Sequence, residues 1–597
     1  MSLKTVKSQV FPLKIVLNAK YTVDFFQREY VWTKKHMEDL ISDLSLEFLR
    51  QWNQEHILSE VEKYDPYYMG EIVLAKKEDV NFSIIDGQQR ITSLTLLLIY
   101  MKHTFGELEN FPNEIDGLIY SNHYGEYKFN LNILDRRECM LGLYMKGCYD
   151  VKVSDTSSVH HLVERYSEIK DIWNDNIDNH NAVAFAYWLM EKVCFSKVWT
   201  NNDEFAYVIF ETMNDRGLSL TQVEMLRSYL LAKIDEENDL RNKAMKKFDQ
   251  AIRNLIDIKL SSKSKAEFEF FKVYLRTHYA EDMTQGKSDS DFVRIGKEFH
   301  RWIRDNSTLL KLENSNNFFD FVNQIEYFVY VYRKIYSLIA SRNTSEYLYL
   351  IVNDDYGFTL QPALIMASVK YMDSDDIIER KIKIVSKYLT KLLSWRVWNQ
   401  NIISQSALEA DIYKLAKEIR NINIMDLQSH LENNPIDLPD LTNTPILNQQ
   451  NKQKIKVLLA LITEIVAVNS GAPDYMLNKK DIEIEHIWAD AYEEHKDEFS
   501  EEGQFLNRRN TIGDLLLLPK SFNASYGKEP YSAKVKHYIE HNILAQSLSA
   551  DKYEKNPGFL KFKESSKLAF KPYDDFKDNN ITERTNLYRG ILIWNWK

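Results

Sequence analysis

Cysteine, glycine, proline, long apolar runs and surplus positive charge are all in short supply in this 597-residue chain. The three cysteines, Cys139, Cys148 and Cys194, form no Cys-x-x-Cys pair and cannot all pair with one another. That argues against a disulfide framework and a thiolate zinc site, and suits reduced thiols in a cytosolic protein. With 17 glycines and 12 prolines, a β-sandwich or a linker-rich chain is disfavoured and a mostly helical protein expected. No run approaches 18 consecutive apolar residues, and the N-terminal MSLKTVKSQVFPLKIVL lacks the apolar segment of a signal peptide. Neither a membrane partner nor export is expected. The formal net charge is −11, so any nucleic-acid contact must come from local basic patches.

What is present is ample core material: 44% hydrophobic and 13% aromatic residues. A chain this long predicts two to four domains rather than one core. Residues 10–33 read as extended, and from Lys34 the apolar spacing of Met37, Leu40, Ile41, Leu44 and Phe48 predicts a helix. YYMGEIVLA (67–75) and NFSII (81–85) read as strands, and a helix follows Arg90. Residues 104–200 read as charged and helical with irregular connections, and 236–430 as almost unbroken helix. There Trp302, Phe318, Phe319, Phe328, Tyr330 and Tyr332 are expected in the core. The segment 433–450, with three prolines and many amide residues, reads as a linker. The expected division is 1–235, 236–450 and 451–597.

Three polar interruptions carry chemistry in the first part. Asp86-Gly87-Gln88-Gln89-Arg90 sits between a strand and a helix. The first N–H groups of a helix lack internal partners and the helix dipole favours anions there, so this turn is a candidate phosphate site. Gly87 permits close approach or positive φ, and Arg90 offers a fork of donors. Asp86 is placed to orient Arg90, to hold Mg²⁺ through water, or to cap the helix. Taken alone, Asp-Gly before a helix is also an ordinary capped turn, and no Walker A loop exists in the chain. Gln27-Arg28-Glu29-Tyr30-Val31-Trp32 and Phe210-Glu211-Thr212-Met213-Asn214-Asp215-Arg216-Gly217 are the other two.

These motifs, with Gly70-Glu71-Ile72-Val73 before the turn and Thr92-Ser93 after it, resemble the N-terminal domain of GmrSD-type restriction enzymes over about residues 10–235. The resemblance implies a ParB-like α/β core that binds and hydrolyses a nucleoside triphosphate, typically GTP, and senses modified DNA. It implies a nucleotide site around Asp86, Gly87, Gln88, Gln89, Arg90 and Thr92, with Gln27, Arg28, Asn214 and Arg216 completing that pocket or the sensing surface, and puts Tyr30 and Trp32 toward DNA. Where the family has Asp and Lys after the last turn, this chain has Glu224 and Arg227.

The other constellation lies near the C-terminus. IEIEHIWAD (482–490) reads as a strand delivering Glu485 and His486; an acidic loop, a second strand and a helix follow. That is the order of a ββα-metal finger. A neutral His486 imidazole would deprotonate water, and Glu485 with Asn523 would supply oxygen ligands to Mg²⁺ or Mn²⁺. Arg508, Arg509, Lys520, Lys528, Lys534 and Lys536 outnumber Asp514, Glu529 and Glu540 in the following stretch, a local surplus suited to phosphates. The plain reading is a structural histidine beside a strand. The acidic loop 489–502 reads as solvated surface, or as a DNA mimic covering the site.

Asn510-x-Ile512-Gly513-Asp514-Leu515, then Asn523 and Lys534, resemble the HNH-type domain of GmrSD proteins over about residues 455–597, with Arg584 and Leu587 in register in a closing helix. The resemblance implies a catalytic set of His486, Asn510, Asp514, Asn523 and Lys534, and DNA contacts from Arg508, Arg509 and Lys528. Ala489 stands where the family has Pro, and Asp514 where it has Asn. Asp514 must therefore substitute, or Asn510 must serve; His495 and His537 are secondary candidates. The expectation is an α+β, predominantly helical protein: a ParB-like α/β core, a helical middle and a C-terminal HNH domain. It would cut modified double-stranded DNA in phage defence, in a prokaryotic cytoplasm, with a homodimer left open. Alternatives are a phosphorothioate-sensing NTPase-nickase and a nucleotide-regulated DNA-binding module with an inactive nuclease domain.

Overall fold

The computed structural model describes residues 6–23, 30–78, 81–123, 126–153, 155–201, 221–235, 239–258, 265–420, 422–434, 443–554 and 556–597. The chain divides into two compact units, Met1–Lys233 and Ile234–Lys597. It is mostly helical with a small mixed sheet, α+β overall.

The first unit is built on strands β1 (Val6–Pro12), β2 (Lys20–Val23), β3 (Tyr67–Glu78) and β4 (Asn81–Asp86), a separate hairpin of β5 (Tyr120–His123) and β6 (Glu126–Phe129), then β7 (Leu131–Asn132) and β8 (Val193–Thr200). The six-stranded sheet runs β1-β8-β3-β4-β2-β7. The β1/β8 and β3/β4 pairs are antiparallel, while β8/β3, β4/β2 and β2/β7 are parallel. The helix Lys34–Gln51 buries Met37, Leu40, Ile41, Leu44 and Phe48, as its spacing predicts.

Two expectations fail here. Residues 13–17 were read as extended, yet Leu13–Leu17 is a short helix with Leu13, Val16 and Leu17 buried. Apolar residues three and four apart form one helical face, a spacing that outweighs the β-branched composition. Residues 193–200 were assigned to a helical region, yet β8 lies between β1 and β3. Val193 and Phe195 alternate with half-buried residues there, the period-2 signal of a strand.

The second unit opens with a run of helices from Leu240–Ile256 to Ile424–Asn433. Trp302, Phe318, Phe328 and Tyr332 are buried there and Phe319 is half-buried. Tyr330 is 44% exposed. It lies two residues from both Phe328 and Tyr332, on the other side of the helix Ser315–Ser341, and its hydroxyl donates to Asp375 Oδ1 at 2.6 Å.

The same unit continues through the buried helix Lys452–Asn469 into an antiparallel pair, β9 (Ile482–His486) and β10 (Leu515–Pro519), and ends in the helix Asp578–Trp596. Contacts join the two stretches. Arg342 holds Asp355 with both terminal nitrogens, at 2.8 and 3.1 Å, and reaches Asn478 Oδ1 at 2.9 Å. The Tyr475 hydroxyl donates to Asp355 Oδ2 at 2.7 Å. Tyr349 packs on Trp596, and the Arg589 guanidinium lies over Trp398.

Candidate functional site

In the first unit β4 ends at Asp86 and the helix Gln88–Phe105 begins directly after it. Gly87 makes the turn with φ +98°. A Cβ at this position would lie 2.6 Å from Ile72 Cγ2, so both conformation and space require glycine. Asp86 to Arg90 and Thr92 are thereby gathered at one strand–helix junction. Gln88 and Thr92 are buried, and among the described residues the Thr92 hydroxyl has no hydrogen-bond partner.

Arg90 turns back onto β3. Its Nη1 donates to the Met69 carbonyl at 2.9 Å and its Nη2 to the Glu71 carbonyl at 2.6 Å, with Asp86 at 3.7 Å. The strand is irregular there, between Tyr68 and Glu71, and Gly70 has φ +99°. A Cβ on Gly70 would sit 2.5 Å from Arg90 Nη1. The guanidinium thus satisfies carbonyls that the bulge removes from the ladder.

Gln89 Oε1 accepts from the Val31 N–H at 3.0 Å, tying the helix start to the aromatic segment. Tyr30, expected to face DNA, is fully buried: its hydroxyl meets Ser93 Oγ at 2.8 Å and its N–H donates to Ser158 at 2.7 Å. Trp32 is half-buried, stacked on His36, with its carbonyl on Arg165. Gln27, Arg28, Asn214 and Arg216 lie outside the described residues. Glu224 serves in a capping box with Thr221 at the start of the helix Gln222–Ala232.

In the second unit His486 ends β9 opposite Leu515 of β10. Its Nε2 lies 3.0 Å from Asn510 Oδ1. With the amide oxygen as acceptor, Nε2 carries the ring proton and Nδ1 the lone pair. Burial, reinforced by the nearby Arg509 guanidinium, lowers the His486 pKa to about 4. The imidazole is therefore neutral at neutral pH. Arg509 Nε donates to the Trp488 carbonyl at 3.2 Å.

The two readings left open for Asp514 and Asn510 divide between the residues. Asn510 meets the His486 ring, while Asp514 is fully buried and accepts from the Trp488 N–H at 3.1 Å. Burial raises its pKa well above the usual carboxylate range, against the Trp488 bond and the nearby cations. Gly513 lies so close to the closing helix that a Cβ would overlap the Ile581 carbonyl. Arg584 is buried under the same turn and reaches the Gly513 carbonyl at 3.3 Å.

Glu485 is also buried. Its carboxylate accepts from Lys534 Nζ at 2.7 Å, and the same ammonium donates to the His486 carbonyl at 2.8 Å. Burial pushes the Glu485 pKa up and Lys534 opposes the shift. Among the described residues no three His, Cys, Asp or Glu side chains converge as a cation requires. Asn523 lies in the helix Lys520–Tyr526, but its side chain is outside the described set. The described donors therefore do not fit a divalent cation at Glu485.

Arg508 is engaged with Asp578 and Thr582 of the closing helix, whereas Lys528 is exposed. His495 packs on Trp488 and His537 on Tyr526. In the acidic loop Glu493, Glu494, Glu501 and Glu502 are exposed, while Tyr492 and Phe499 turn onto Phe505.

Family models match both ends of the chain. Residues 13–231 match the N-terminal domain of the GmrSD restriction endonuclease, and residues 436–590 the C-terminal domain of GmrSD restriction endonucleases. Two such domains, together spanning more than half the sequence, define a modification-dependent restriction endonuclease. The chain belongs to the GmrSD family. No curated protein matches it.

Proposed function

We propose that this chain is a nucleotide-regulated endonuclease that cuts modified double-stranded DNA in a prokaryotic cytoplasm as a defence against phage, with GTP or another NTP bound and hydrolysed in its first unit. The nuclease reading rests chiefly on the His486 ring, held by Asn510 and kept neutral by its surroundings. His486 Nδ1 takes a proton from the attacking water as its oxygen bonds to phosphorus and the P–O bond of the backbone breaks. Arg509, with one nitrogen on the Trp488 carbonyl, offers its other N–H donors to the phosphate. The expected Mg²⁺ or Mn²⁺ has no place on Glu485 while Lys534 holds it, and no step is drawn through such an ion.

The nucleotide reading rests on the glycine turn before the helix Gln88–Phe105, where backbone N–H groups at Gln88 and Gln89 would receive phosphate oxygens. Arg90 would act through the β3 bulge as a positioning residue. The inactive-nuclease alternative loses ground because Asp514 has a structural place of its own and leaves the His486–Asn510 contact intact.

The test compares wild type and His486→Ala on plasmids with and without glucosylated hydroxymethylcytosine or phosphorothioate. Loss of a positioned base typically lowers the rate about 10²–10⁴-fold, so cutting should fall by that factor while NTP hydrolysis stays near parental. A variant with the parental melting curve that cuts at the parental rate would remove His486 from the mechanism.

A further inference from the structure

We infer that Glu485 and Lys534 are a buried positioning pair for His486, and that Glu485 is not a ligand for a divalent cation. The inference rests on the proposed role of His486. Strand alternation turns the neighbouring side chains of Glu485 and His486 to opposite faces of β9. Glu485, 4% exposed, faces inward, whereas His486 is half-buried beside Asn510.

Lys534 comes from the helix Tyr531–Tyr538 and is completely enclosed. Its ammonium occupies the space between the Glu485 carboxylate, at 2.7 Å, and the His486 carbonyl, at 2.8 Å. The place beside these two oxygens, where a cation would sit, is filled by the chain's own charge. A divalent ion on Glu485 would have to break the buried Glu485–Lys534 ion pair and leave the enclosed ammonium without that partner, a costly change for a buried charge. The pair instead fixes the His486 backbone from behind while Asn510 fixes the ring from the side. Backbone and ring together set where Nδ1 points, and small displacements of a catalytic group lower rates steeply.

The test uses the full-length protein. Mn²⁺ binding is followed by electron paramagnetic resonance in wild type and Glu485→Gln. Melting curves, kcat and KM for DNA cleavage are followed in Glu485→Gln, Lys534→Met and the double variant. Equal Mn²⁺ affinity in wild type and Glu485→Gln, or no Mn²⁺ binding by either, supports the inference; a tenfold or greater loss in Glu485→Gln overturns it.

Lys534→Met alone should melt lower, because it leaves Glu485 buried and unpaired. The double variant should recover the melting temperature. Its kcat should nevertheless stay about tenfold or more below wild type at unchanged KM, because the His486 carbonyl has lost its anchor. A double variant with both the parental melting temperature and the parental kcat would show the pair to be structural only. Absence of cutting by wild type on every DNA counts against the proposed function alone, and Mn²⁺ affinity then still decides the role of Glu485.

Discussion

Arg90 was legible as a residue that matters but not as a residue that points backward. The sequence shows an arginine at a helix start; it does not show that β3 bulges at Gly70 and leaves the Met69 and Glu71 carbonyls within reach. Hydrogen bonds from a charged group contribute about 1.5–3 kcal/mol each, and the side chain is 24% exposed. Arg90→Ala should thus lower the stability of the first unit by about 2 kcal/mol, read by urea unfolding, in addition to weakening nucleotide binding. An unchanged unfolding midpoint would show the clamp to be idle. His486 carries the second test at this scale. Its pKa of about 4 is set by burial and Arg509, with Lys534 acting in the same direction and Asn510 and Asp490 opposing. A general base works when deprotonated, so kcat/KM for cleavage should stay level from pH 7 down to about pH 5. It should then fall with a midpoint near the lowered pKa of about 4. A limb near 6.5, the ordinary imidazole value, would mean that another group or an open, solvated His486 does the work. The contacts around this ring join residues 24 and 48 apart in sequence, a range at which no local pattern signals a partner.

At the scale of elements, periodicity revealed what was regular and missed what was short. The helix Lys34–Gln51 was legible because five apolar residues repeat at helical spacing. β8 was not, because eight residues flanked by helix patterning give a weak period-2 signal, and its central place in the sheet comes from pairing with strands at distant sequence positions. The helix Lys452–Asn469 is largely apolar, but it encloses a carboxyl group whose setting no local pattern shows. Glu464 is 1% exposed there, and its carboxylate accepts from the Asp474 N–H at 2.9 Å. Burial raises its pKa from 4.5 to about 7; Asp474 adds to the shift, and its N–H bond and Lys479 oppose it. Folding therefore favours the protonated form. The contribution of Glu464 is fully present below pH 4.5 and is lost as pH rises toward 7, by about 3 kcal/mol over that interval at 1.36 kcal/mol per unit. Glu464→Gln keeps a carbonyl for Asp474 and has nothing to ionise. The variant should unfold at higher urea than the parent at pH 8, with the difference vanishing near pH 4.5. Equal gains at both pH values would mean that the glutamate is not titrating in this range.

For the whole molecule, the composition of residues 433–450 reads as a boundary, yet packing in the second unit runs across it. Trp398 Nε1 donates to the Asn443 carbonyl at 3.0 Å, and Arg589 lies over the same indole. Asp355 gathers Arg342 and Tyr475, and Asn478 Nδ2 returns to the Arg342 carbonyl at 3.2 Å. Prolines and amides set local chain conformation; they carry no information about whether the segments on either side share a surface. The consequence is an expected difference between two truncations. A chain of residues 234–597 retains every one of these contacts, whereas 443–597 loses the partners of Tyr475, Asn478, Arg589 and Trp596 and exposes the apolar surface beneath them. Removing a few kcal/mol of packing from a domain of this size lowers the melting temperature by roughly 5–10 °C. The shorter chain should therefore melt lower by about that amount and expose surface that binds an apolar dye, while 234–597 melts as the second unit does in the intact protein. Equal melting temperatures for the two truncations would make the C-terminal stretch an independent folding unit and leave the helices as a separate body attached to it. A lower value for 443–597 makes the helices part of what supports the His486 site, so a change in their packing has a direct physical route to the Glu485–Lys534 pair behind it.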